Sequence, residues 1–262
     1  MENDVSDKND GNPKHISGIY NYCDRWCERC PFTSRCLNFE MSEEKFGDLQ
    51  STDITNEAFW EKLGETLHET MTMLKEMAAE KGIDLDAIDI EEEQAKRRFE
   101  EKSVVHMTTH LAKSYVSITN DWFDSNVYIY QDDEDAIRAI AAPDSTLSNP
   151  RKDTMPLMDA VEVIRWYQHQ IYVKLKRAYH SIRDEKFEEL DDFPKDSDGS
   201  AKVALIGMDR SISAWGKILK FFPDQEENIL GIIAHLDRIR NRTEAEFPGA
   251  RAFVRPGFDE KD

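Results

Sequence analysis

Apolar residues return at alternating spacings of three and four over most of the chain's second half, and this period limits the fold more than any other feature. One stripe runs through Leu157, Val161, Ile164, Ile171, Leu175, Ala178 and Ile182, with Gln168 in its one polar position. Leu205, Met208, Ile212, Trp215, Leu219 and Phe222 repeat the device, as do Ile229, Ile232, Leu236 and Ile239. Nearer the start, Trp60, Leu63, Leu67, Met71 and Leu74 form a fourth stripe. Such spacing lays apolar side chains along one face of an α-helix, and such faces bury against other helices at shallow angles. With only 11 Gly and 9 Pro in 262 residues, the chain cannot make the many tight corners of a β-sandwich or barrel. The expected fold class is all-α: an antiparallel bundle of about five long helices over residues 55–262.

Local signals set the expected bounds. Thr55 or Asn56 caps a first helix over 57–81, which Gly82 ends. A second helix is expected over 91–124. The third starts at Pro156 and runs to 185, and the fourth covers 201–222. Pro223-Asp224-Gln225-Glu226-Glu227 reads as a stop followed by a capping box, opening a fifth helix that runs to 246. The acidic stretches 128–154 and 188–200 read as loops, the first with one short helical turn at 136–142. Residues 1–15, rich in Asn, Asp, Lys and Gly, read as a disordered tail.

Residues 16–54 are expected to form a separate cysteine segment and a polar joint. All four cysteines, Cys23, Cys27, Cys30 and Cys36, fall in YCDRWCERCPFTSRC. Disulfides confined to so short a stretch would staple almost nothing of the rest, whereas four thiolates suit one metal centre. A helical turn or two from Cys23 would place Cys23, Cys27 and Cys30 on one face. Pro31 would end that turn, and the loop 32–35 would return Cys36 as a fourth ligand. Arg25, Arg29 and Arg35 would offset the negative charge of a four-thiolate centre, and Tyr22, Trp26 and Phe32 would wall it from water.

Two centres compete, a 4Fe–4S cluster and a tetrahedral zinc. Zinc sites usually draw two cysteine pairs from points a dozen or more residues apart. Here the ligands crowd together and a Pro follows one of them directly, as in cluster-binding loops. The portion Cys27-x2-Cys30-Pro31-x4-Cys36 resembles the cysteine triplet that closes a 4Fe–4S cluster in RecB-like nucleases. The resemblance covers about ten residues and implies cluster chemistry alone. No acidic-x-Lys strand precedes Gln168-x3-Tyr172, so nuclease activity does not carry over. Cys-x3-Cys-x2-Cys also has the radical SAM spacing, but that family needs a large α/β barrel and lacks a fourth cysteine ligand.

Other candidates lie on the helices. Glu65 and His68 have the spacing of a di-iron carboxylate motif, but Glu65 points away from the Leu67 stripe, toward solvent. His106 and His110 are one turn apart, a legitimate metal-ligand spacing, and a second metal would need His235 or Glu162 as a further ligand. As boundary histidines they would instead bond to neighbouring groups. Gln168 sets helix register if its side chain finds a hydrogen bond, and the flank Glu162, Arg165, His169, Tyr172 and Tyr179 lines a pocket or faces water. No phosphate-binding loop, nucleophile elbow or catalytic triad is present in the sequence.

The formal net charge of −19 argues against nucleic acid or an anionic membrane as partner. The N-terminus has no apolar signal region, no apolar run spans a bilayer, and clustered thiols suit a reducing compartment, so a cytoplasmic location is expected. Two functions are compatible with these features. In the first, a metal-bound redox, sensing or accessory module docks on a protein partner. In the second, an enzyme has its active site in the bundle, and the cysteine centre is structural or feeds electrons.

Overall fold

The 157–182 stripe lies in the longest of the described helices. The computed structural model describes residues 14–47, 55–84, 106–126, 150–188 and 195–259. They contain six α-helices: α1 (Leu37–Phe46), α2 (Glu57–Glu80), α3 (Met107–Ser125), α4 (Pro150–Glu188), α5 (Asp196–Phe221) and α6 (Glu226–Glu246). Short 3-10 turns cover Cys27–Arg29, Thr33–Arg35 and Pro223–Gln225, and no strand occurs among the described residues. The protein is all-α. No described helix is long and apolar enough to cross a membrane.

The chain divides into two compact units, residues 1–20 with 27–105 and residues 21–26 with 106–262. Among the described residues of the second unit, α3 to α6 pack around one core. Paired residues give the helix directions. Asp159 meets Lys217 and Ser181 meets Asp196, so α4 and α5 run antiparallel. Arg165 meets Asn120 near one end of α3, and Tyr179 meets the His106 ring at the other. Asn126 pairs with Gln225, and Thr108 with Glu246, which sets α3 antiparallel to α6.

The stripes of this unit face its core. Leu157, Val161, Ile164, Ile171, Leu175 and Ala178 are buried, as are Ile229, Ile232, Leu236 and Ile239, while Ile182 packs against the core partly buried. On α5 the buried face is turned slightly from the expected one. Ile218 is fully buried, Ile212 and Leu219 are only partly so, and the small residues Ala204, Ser211 and Ala214 share the interface. Small residues let helices approach closely, so the tightest face need not be the one with the largest side chains.

Several bounds differ from the sequence expectation. Of the expected helix over 91–124, residues 91–105 lie outside the described residues; the helix seen begins at Met107, with His106 as its N-cap in extended geometry. The turn expected at 136–142 also lies outside the described residues. Helix α4 begins six residues before Pro156, which it carries internally. Helix α5 begins at Asp196, not 201, and Asp196 and Asp198 in its first turn favour that start electrostatically. At α6 the capping box does not form: Pro223–Gln225 make a 3-10 turn, and Gln225, the N-cap, makes no capping bond and pairs with Asn126.

In the first unit, Asn56 caps α2 by accepting from Ala58 N. The other end closes with Ile83 N bonded to Ala78 O and Gly82 N to Ala79 O, around Gly82 at φ +67. That pair of bonds is a Schellman cap, which requires the left-handed conformation glycine adopts without strain. The α2 stripe is not buried as expected: Trp60, Leu67, Met71 and Leu74 are all exposed. The polar joint begins as helix α1, with no buried residue. Lys14 and His15, at the end of the expected tail, both bond to Glu40 of α1.

Candidate metal centre

Each cysteine occupies a different local setting. Cys27 opens a 3-10 turn closed by Cys30 N donating to Cys27 O at 3.1 Å. Pro31 follows, and Phe32 N–H points back at the Cys30 sulfur, 3.4 Å away. An amide donating to sulfur two residues earlier supports negative charge on that sulfur, one of the ways proteins tune metal–thiolate centres. Thr33–Arg35 makes a second 3-10 turn, and Ile16 N donates to Arg35 O at 3.0 Å. Cys36 then stands at the N-cap of α1, where its sulfur makes no capping bond. All four cysteines are half-buried and none forms a disulfide.

Cys23 belongs to the other unit, carried by the short stretch Asn21–Trp26. The expected helical turn from Cys23 does not form. Arg25 has φ 57, in the left-handed region where a residue with a side chain is strained, so helical i, i+4 spacing does not relate Cys23 to Cys27. Within its own unit this stretch is held closely. The Asp24 carbonyl accepts from Trp166 Nε1 at 2.9 Å and from Gln170 Nε2. Its carboxylate accepts from Tyr167 OH and, at 2.8 Å, from Arg210 Nη1. Burial, with the Asp24 carboxylate beside it, pushes the Tyr167 phenol well above its ordinary range, so it remains a donor. Trp26 is buried, stacked on Trp166 with centroids 4.9 Å apart and edge-on to Tyr167 at 6.0 Å.

Tyr22, on the other side of Cys23, packs edge-on against Phe253 with centroids 4.7 Å apart, and its hydroxyl donates to Asp196 at 3.0 Å. Gly199 permits this: a Cβ there would lie 2.4 Å from Tyr22 Cε1 and 2.7 Å from Phe253 Cζ. Lys174, only 8% exposed, completes the face. Burial holds its amine below the ordinary lysine range, and the nearby Cys23 opposes that shift. The sequence reading missed this face because it looked to the flank of Glu162, Arg165 and His169. The signal was present: Trp166, Gln170 and Lys174 recur at every fourth residue of α4, with Tyr167 beside them.

The remaining candidates fall elsewhere. Glu65 and His68 are exposed. His106 stacks on Tyr179 with centroids 4.0 Å apart and lies 3.6 Å from Glu246, which also accepts from Thr108 and Tyr179. His110 is exposed, and the His235 ring bonds to Leu111 O at 2.8 Å. Of the expected pair, His106 is the one whose ring meets neighbouring groups. Gln168 is buried, but its Oε1 has no hydrogen-bond partner, so it does not tie the register in the way expected of it. Among the described residues no three His, Cys, Asp or Glu side chains stand as a ready ligand group. Thiolate sites are commonly gathered by the ion itself, because bonds to the cation offset the cost of ordering several ligands and the repulsion between their charges.

No protein-family model matches the chain, and comparison with curated proteins and with solved structures finds no match.

Proposed function

We propose that Cys23, Cys27, Cys30 and Cys36 together bind one metal centre, a 4Fe–4S cluster, and that the protein serves a protein partner as a redox, sensing or accessory module in the cytoplasm. The observation that carries the reading is the spacing Cys-x3-Cys-x2-Cys-Pro-x4-Cys within 14 residues of a chain that has no other cysteine. The Phe32 amide directed at the Cys30 sulfur supports it, as does the half-burial of all four thiols. An iron–sulfur centre with four thiolates carries net negative charge, and an acidic chain needs local cations to hold one. Arg25, Arg29 and Arg35 among the ligands, and Lys174 within electrostatic reach of Cys23, supply them.

The test is purification without oxygen, followed by an absorption spectrum and metal analysis. A brown protein with broad visible absorption, containing iron and acid-labile sulfide, is the expected result. A colourless protein with one zinc per chain would replace the cluster by a structural zinc, and a protein with no bound metal would overturn the reading.

A further inference from the structure

We propose that Asp24 is a positioning residue for the metal centre: it fixes Cys23 on the α4–α5 face before any metal binds. This rests on the four-cysteine reading above and extends it. Asp24 follows its ligand cysteine directly, and four side chains from two helices converge on it. Trp166 and Gln170 grip its backbone carbonyl, while Tyr167 and Arg210 grip its carboxylate. The carboxylate also accepts from Trp26 N at 3.3 Å, which closes the turn through the left-handed Arg25. With both its main chain and its side chain held, Asp24 leaves the neighbouring Cys23 backbone little freedom. Tyr22 on one side and Trp26 on the other are themselves packed, against Phe253 and Trp166.

The consequence is entropic. A ligand that is already placed costs little to order when the metal arrives, whereas a ligand on a mobile loop must be fixed at that moment. Groups that orient ligands without touching the metal typically change its retention roughly tenfold to a hundredfold when removed. None of the Asp24 partners is a cysteine, so the platform stands without the metal.

The experiment uses full-length protein, reconstituted without oxygen with iron and sulfide or with zinc, and compares wild type with Asp24→Ala and Asp24→Asn. Two quantities are read: the rate of metal loss to a chelator, and, in metal-free protein, the alkylation rate of each cysteine by peptide mass spectrometry. Asp24→Ala is expected to lose metal about tenfold faster or more. It should also raise the alkylation rate of Cys23 and leave that of Cys36 unchanged. Both variants retain the bonds to the main-chain carbonyl, but Asp24→Asn also keeps a side-chain oxygen that can accept from Tyr167, Arg210 or Trp26 N, so it should lie between wild type and Asp24→Ala in both measurements. Should Asp24→Ala not fold, Asp24→Asn and Arg210→Met carry the same comparison. Wild type that takes up no metal overturns the four-cysteine reading and this inference with it. Wild type that holds metal, beside an Asp24 variant with unchanged metal loss and unchanged Cys23 alkylation, overturns this inference alone.

Discussion

The Tyr115 hydroxyl is wholly buried, accepts from Trp215 Nε1 at 3.1 Å, and is pushed above the ordinary phenol range by that burial. Tyr115→Phe would leave the Trp215 indole N–H without an acceptor in a dry core. The expected cost is about 1–3 kcal/mol in chemical denaturation, out of proportion to the single atom removed. Asp196 shows a different balance. Burial alone would raise its carboxyl, but bonds from Ser181 and Arg177, with Tyr22 as a third donor, hold it below the ordinary range. A depressed folded pKa gives stability that is complete above the ordinary carboxylate value, about 4, and is lost as pH falls through the folded value. The stability gap between wild type and Asp196→Asn should therefore be constant near neutrality and shrink below about pH 4; a gap independent of pH down to acid unfolding would contradict this. Gly199→Ala would drive a methyl into the Tyr22 and Phe253 rings. A loss of roughly 1–3 kcal/mol is expected, together with faster alkylation of the neighbouring Cys23.

At the scale of elements, periodicity told which face of a helix is apolar but not what covers it. The stripes of α4, α5 and α6 meet one another and close a core. The α2 stripe has the same period, yet Trp60, Leu67, Met71 and Leu74 remain exposed. The two cases separate by mutation. Leu175→Ala, at a fully buried position, should cost about 2–5 kcal/mol. Leu67→Gln should leave the melting of the protein within about 0.5 kcal/mol of wild type. Helix ends were legible where the signal was purely local, as at Asn56 and Gly82. They were not legible where a distant residue competed. Gln225, the N-cap of α6, makes no capping bond and is paired with Asn126, and the start of α5 reaches back to Asp196, which Tyr22, Arg177 and Ser181 engage.

For the whole molecule, the all-α class followed from the stripes and the scarcity of Gly and Pro, and the cysteine cluster was evident from spacing. The division around that cluster was not. A single short stretch, Asn21–Trp26, belongs with the helices α3 to α6, while Cys27, Cys30 and Cys36 belong with α1 and α2. No local propensity encodes this, because Asp24 and Trp26 find their partners about 140 residues later in the sequence. Loss of metal is accordingly expected to loosen residues 27–41 and to leave 21–26 in place. Limited proteolysis of metal-free protein should cut the former stretch first.

The central claim is that the four cysteines act as one ligand set. Its most direct measurement is the metal content of the four single variants Cys23→Ser, Cys27→Ser, Cys30→Ser and Cys36→Ser, each purified without oxygen beside wild type. A joint centre predicts a loaded wild type and a marked loss of metal in all four variants, with helical circular dichroism only slightly reduced, because the core of α3 to α6 contains no cysteine. Full metal content in any one variant would show that its cysteine is not a ligand, and global unfolding of the variants would show that the segment is part of the core.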